Sequence, residues 1–547
     1  MLPKTRAAVV ASLSATALLA ACGGNGGTGA GEGGQTGGGE GQTGGQITAQ
    51  GCQPQRPLIG GDTGESCGSD IVTLFTSTLF KYDPETGEPQ NDLAESLETD
   101  DNQNFTVTIK DGATFADGSP VTAQSFVDAW NYTANSANGQ YLSYFMEPIE
   151  GYDQLQAEEG QDPAATEMSG LAVVDDQTFT IKTAEPVANL PVRLGYTAFA
   201  PQPQAFFDDP EAFAAQPYGA GPYKVESYEQ GRQAVLVRNE NYNGEFDGQV
   251  DQITFRVYQD ADAAFNDLLA NNLDVVNQIP ASFMVDRQFE QQIPDRWEEA
   301  PYPAIQTITF APDAVSPEYA NPKLRQAISR AIDRQRIIDD QFSGSREIAT
   351  GWTPPGVEGY EPGACGELCE YDADAAKQLL EEAGGFEGSL TLSYNADGDH
   401  QAWTTATCNS IRDALGVDCV ATPVPDFATF RDQIGAGEMQ GIFRTGWIGD
   451  YPHIENFLTP MYSKGGSSND NKYDNPDFDA KLVEAGTLGE DESIAAYQEA
   501  EKMLAEDMPS IPLFYYTGQI GWSENVSDVH LNKSSGRPDL LRVTVNQ

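Results

Sequence analysis

Apolar and polar residues alternate with period two over Phe105-Thr106-Val107-Thr108-Ile109-Lys110 and again over Thr178-Phe179-Thr180-Ile181-Lys182. That period predicts strands with one buried face. Further strands are predicted around Val225, over Ala234 to Val237, over Ile253 to Tyr258, at Thr307-Ile308-Thr309-Phe310, at Leu390 to Tyr394 and at Ile511 to Tyr516. Between them the period lengthens. Phe126, Ala129, Trp130 and Thr133 follow Thr122 at helical spacing, with Thr122 as the cap. Leu324, Ala327, Ile328, Ala331 and Ile332 line one face of a helix that Asn321-Pro322 starts. Other helices run from about Asp372 to Ala383, before Gly384-Gly385, and up to Leu415-Gly416. Strands and helices interleave throughout, which is an α/β or α+β pattern.

The two ends of the apolar scale appear at the N-terminus. Lys4 and Arg6 precede an apolar run from Ala7 to Ala21, which has the length of a signal-peptide core and is too short for a membrane span. It closes on Leu19-Ala20-Ala21-Cys22, which resembles the lipobox of bacterial lipoproteins. Residues 1–21 are therefore expected to be removed and Cys22 to carry a lipid. Residues 22–50 are dominated by Gly with Thr and Gln and show no apolar period, so they read as a flexible tether. A coil of that length spans roughly 30 Å. No later stretch is apolar enough to cross a bilayer, which places the remainder outside the cytoplasm, anchored to the cell membrane.

Charge narrows the partners. The formal net charge is −53, which argues against nucleic acid and against docking on anionic lipid. The six cysteines beyond Cys22 fall in three neighbouring pairs, Cys52 with Cys67, Cys365 with Cys369 and Cys408 with Cys419. In an exported chain these read as three disulfides, although sequence leaves the connectivity open. The three histidines, His400, His453 and His530, lie at no ligand spacing with them, so neither a metal nor a cofactor is expected.

Candidate binding chemistry concentrates in Phe443 to Pro452. Within it stand a guanidinium (Arg444), an indole wall (Trp447), two glycines that bare the backbone (Gly446, Gly449) and a carboxylate (Asp450). A ligand with an ammonium and an extended backbone needs such groups.

Several stretches, in order along nearly the whole exported chain, resemble one family: the extracytoplasmic solute-binding proteins of peptide and nickel ABC transporters, family 5. They are Leu93-Ala94-Glu95-Ser96; Asp111-Gly112-Ala113-Thr114-Phe115-Ala116-Asp117-Gly118 with Val121-Thr122-Ala123; Gly219-Ala220-Gly221-Pro222-Tyr223; Arg325 to Arg334; Tyr371 to Gly384; and Arg444 to Tyr451. The resemblance implies a two-lobed, periplasmic-binding-protein-like clamshell of the type II peptide-binding cluster, with an extra inserted subdomain. It would place lobe I at 51–83, 190–305 and 511–547, the inserted subdomain at 84–189 and lobe II at 306–510, hinged near Gln306 and Ser510. It also implies that Asp450 holds a peptide's α-ammonium, Trp447 lines a side-chain pocket, Arg444 meets a short peptide's carboxylate, and Gly446 and Ile448 contact ligand. Tyr141 is the expected contact from the inserted subdomain, with Tyr144 nearby. Pro452-His453-Ile454-Glu455-Asn456 departs from the family's acidic-Pro step, and His453 reads as a surface-loop residue.

The expectation is a monomeric receptor, not an enzyme, that hands oligopeptides to a membrane permease. Same-fold alternatives bind oligosaccharide or a nickel chelate. An alternative of another class is a secreted serine hydrolase, since Gly64-Glu65-Ser66-Cys67-Gly68 fits G-x-S-x-G, with Pro57 to Gly61 as the strand before it.

Overall fold

The period-two stretches become strands in the computed structural model, which describes residues 43–157, 161–396, 400–425 and 427–546. Asn104–Ile109 and Thr178–Lys182 pair antiparallel at the centre of a four-stranded sheet with Ala94–Thr99 and Leu171–Asp175. Their inward residues Phe105, Val107, Phe179 and Ile181 are buried. The helix Ala123–Ala134 packs there through Phe126 and Trp130, and a capping box between Thr122 and Ser125 fixes its start. This sheet and helix form the inserted body of the first lobe, with a core of their own.

A larger mixed sheet carries the rest. Its strands run, from one edge to the other, Asp418–Val424, Ser389–Asn395, Ile442–Ile448, Trp297–Phe310, Ser510–Trp522, Val275–Val276, Gln46–Gly51, Gln252–Val257, Gln233–Arg238 and Tyr223–Glu229. Two long strands join its halves. Trp297–Phe310 and Ser510–Trp522 pair antiparallel, but the ladder is interrupted between Pro301 and Ile305 and again between Gln306 and Thr307. Prolines 301, 303 and 512 remove donors around this crossing. On one side of it the core gathers Ile308, Trp352, Leu392, Trp403 and Phe514. On the other it gathers Ile47, Phe75, Leu236, Phe255 and Ile520. Two cores on one large sheet, with the inserted body as a third beside the Ile47 core, make the two-lobed clamshell.

One expectation is corrected here. The tether was placed through Gln50, but Gln46–Gly51 is a strand in the large sheet, parallel to Gln252–Val257. Ile47 and Ala49 alternate into the core, and only two apolar positions are a weak period beside so much glycine. Cys22 and the signal segment lie outside the described residues. Disulfides join Cys52 to Cys67, Cys365 to Cys369 and Cys408 to Cys419. Among the described residues no helix is long and apolar enough to cross a membrane.

Candidate binding site between the lobes

The strand Ile442–Ile448 runs through the second lobe and delivers the next residues, Gly449 to Asn456, to the inserted body of the first. Gly446 sits in the strand where a Cβ would lie 2.6 Å from the Ile305 carbonyl oxygen, so close strand packing requires glycine there. Past the strand, the Gly449 amide donates to the Pro303 carbonyl at 2.8 Å and turns the chain. Tyr451 then leaves its own lobe. It is 4% exposed and belongs to the core of the inserted body, with its ring 6.3 Å from that of Phe145.

Asp450 faces a ring of tyrosines. Tyr144 donates its hydroxyl to Oδ2 at 3.3 Å, and Tyr196 directs its hydroxyl to the same carboxylate. Tyr82 stands close enough for the carboxylate to press its phenol further up. From its own lobe, Asp450 receives the Asn456 amide on Oδ2 at 3.2 Å. The Asn456 carbonyl oxygen in turn accepts the Asp450 backbone N–H at 2.8 Å and the Trp447 indole N–H at 3.0 Å. Asn456 thus ties the carboxylate and the indole into one rigid unit. Among the described residues Asp450 has no ion pair. Burial pushes its carboxyl up to about 6 against the pull of its neutral donors, and the neighbouring carboxylate Glu455 adds to the push. A desolvated carboxylate held only by neutral donors is a seat for a cation.

The profile of the bacterial extracellular solute-binding proteins, family 5 middle region, matches residues 88–469. The chain belongs to this family. Among curated family 5 relatives, the oligopeptide-binding protein OppA of Bacillus subtilis is 25% identical over 488 residues, covering 86% of this chain and 87% of that protein. The periplasmic murein peptide-binding protein MppA of Escherichia coli is 27% identical over 443 residues, covering 79% and 81%. The solved Escherichia coli murein tripeptide-binding protein MppA superposes with a TM-score of 0.80 at 23% identity, covering 92% of this chain and 98% of that one. The seam at Asp450 lies where the loop after Ile442–Ile448 meets the inserted body.

The structure separates the residues that the sequence grouped. Trp447 is half-buried against Ile305, Val357 and Phe457 and adjoins Asp450 through Asn456. Ile448 is 48% exposed at the strand end. Arg444 lies further back: its Nε donates to Asn395 Oδ1 at 2.8 Å, and the guanidinium lies 5.3 Å from the Phe427 ring and 5.6 Å from that of Phe430. Four residues of strand, about 13 Å, separate Arg444 from Ile448. The hydroxyls that meet Asp450 are those of Tyr144 and Tyr196, not that of Tyr141. Tyr141 is 55% exposed, its ring lies 4.8 Å from the Arg56 guanidinium, and its backbone N–H donates to Asp62. Tyr144, three residues on, is the tyrosine of the inserted body whose hydroxyl meets Asp450.

His453 is corrected as well. It is 5% exposed, and burial pushes its imidazole down to about 4, so it is neutral. Its Nδ1 accepts the Glu455 backbone N–H at 3.1 Å. Ser66 begins the helix Ser66–Phe75, and Cys67 beside it is bridged to Cys52. Pro57 to Gly61 form no strand, so the nucleophile-elbow geometry is missing there. Tyr82, Tyr196 and Asn456 went unnoticed in the sequence. Only Asn456 carried a local signal, as an amide six residues after Asp450.

Proposed function

We propose that this protein is an extracytoplasmic receptor that captures oligopeptides between its lobes and delivers them to an ABC-transporter permease. The observation that carries this reading is Asp450, a buried carboxylate at the seam whose donors are all neutral. A peptide's α-ammonium completes it, with a charge-assisted hydrogen bond in a water-poor site. Trp447 offers an apolar wall beside it, and in this reading Arg444, further back along the strand, meets a carboxylate at the far end of a short peptide. Relatives named for binding oligopeptides and murein peptides support the ligand class. The protein does no chemistry on the ligand. It acts as a monomer, tethered through a lipid on Cys22 and the glycine-rich segment after it, in keeping with Leu19-Ala20-Ala21-Cys22.

Native mass spectrometry of the protein purified from a peptide-rich medium tests this. A ladder of bound masses that fragment as peptides is expected. A single bound sugar or metal chelate, or a protein that stays empty when offered peptide mixtures, would overturn it.

A further inference from the structure

The seam holds a second buried carboxylate that the ligand reading does not use. Glu455 opens the helix Glu455–Tyr462 of the second lobe. Arg193 ends the short helix Leu190–Arg193, whose Leu190 and Val192 lie in the core of the inserted body. Arg193 Nη2 and Glu455 Oε1 are 2.8 Å apart, with side chains 14% and 3% exposed. Asn189, also from the first lobe, donates to Glu455 Oε2 at 3.1 Å, and Tyr451 donates its hydroxyl to the same oxygen. The Arg193 guanidinium lies 5.5 Å from the Tyr451 ring. Burial alone would push the Glu455 carboxyl up, but Arg193 and the Tyr451 hydroxyl hold it below its ordinary value. The pair is therefore ionised, desolvated and made from both lobes.

Its position links it to the ligand seat. Glu455 is followed directly by Asn456, whose side chain holds Asp450 and Trp447 in place. Seating Glu455 against Arg193 fixes the helix start that carries Asn456. Losing one partner while the lobes stay shut strands the other charge, and such losses appear in dissociation rates.

We propose that Arg193 and Glu455 form a closing latch: the pair forms as the lobes meet, populates the closed form before ligand arrives, and slows release once ligand is inside. Arg193 is a positioning residue that acts through Glu455 and Asn456 without touching the ligand. The release part rests on the peptide-capture reading; the ligand-free part does not.

The test joins stopped-flow kinetics of trialanine with small-angle scattering of the ligand-free protein. Arg193→Met and Glu455→Gln are each expected to speed trialanine dissociation about tenfold without slowing association. The double variant should do no worse than either single one. The ligand-free Arg193→Met protein should scatter as a more extended particle than wild type, and the preference for free over N-acetylated peptide should persist. Arg193→Lys, which keeps the charge, should fall between wild type and Arg193→Met and serves if Glu455→Gln fails to fold. Wild-type dissociation in folded Arg193→Met overturns the latch. If trialanine binds neither protein, the capture reading fails, and scattering decides alone: expansion supports the latch and an unchanged profile overturns it.

Discussion

Asp450 and Glu455 lie five residues apart, one on a loop and the other opening the helix after it, both at the seam between the lobes, and their surroundings differ in one respect. Glu455 has a cation, Arg193, at 2.8 Å, and its carboxyl is held below the ordinary range. Asp450 has tyrosine hydroxyls and an asparagine amide, and burial pushes it up to about 6. Among the described residues the protein supplies a counter-charge to Glu455 and none to Asp450, which the proposed function leaves for the ligand. Desolvation acts on both carboxylates, so on that proposal the partner decides which is a fastener and which a receptor.

Removing the charge at the receptor should have the largest effect. Asp450→Asn is expected to weaken peptides with a free amino terminus about 100-fold, in the range expected for breaking a buried charge pair. N-acetylated peptides should change little, and calorimetry with the two peptide classes reads the difference. Equal loss for both would remove the ammonium from the account.

A third buried carboxylate sharpens the comparison. Glu501, 1% exposed, is met by the backbone N–H groups of Trp352 and Thr353 at 2.7 and 2.8 Å, and burial pushes it up to about 7. Here the folded value lies above the unfolded one. Its charge therefore costs nothing below about pH 4.5, and stability falls as pH rises from there through 7. Glu501→Gln should remove a wild-type loss of about 2–3 kcal/mol between pH 5 and 8, read by urea unfolding at both. An unchanged pH dependence would show that this carboxylate titrates normally.

Affinity should respond to pH in the opposite sense. Peptide ammonium binds ionised Asp450, so affinity for free-amine peptides should drop about tenfold per unit below pH 6 and level off above it. A flat profile between pH 5 and 7 would contradict the raised value. The smallest expected effect separates two tyrosines: Tyr144→Phe should weaken binding about fivefold, the net scale of one ordinary hydrogen bond. Tyr141→Phe should leave it unchanged, and fluorescence titration distinguishes them.

What the sequence revealed follows from how local each signal is. The strand Thr178–Lys182 and the cap at Thr122 are set by neighbouring residues, and a period or a capping pair shows in the letters. The clamshell was visible through ordered stretches that resemble one family. The strand Gln46–Gly51 was hidden because its partner lies 206 residues away and its own pattern is two small apolar positions. The surroundings of Asp450 were hidden for the same reason. Tyr82, Tyr144 and Tyr196 come from three separated segments that pack on one core, and Asp450 reaches them from the other lobe. Arg193 beside Glu455 is a pairing across 262 positions that no local pattern announces.

The central claim is that Asp450 receives the ligand's amino terminus. A crystal structure of the protein with trialanine bound tests it most directly. The account predicts the peptide's ammonium nitrogen about 3 Å from an Asp450 carboxylate oxygen, as a charge-assisted hydrogen bond requires. A peptide bound with its amino group elsewhere, and Asp450 still facing only its tyrosines and Asn456, would contradict it.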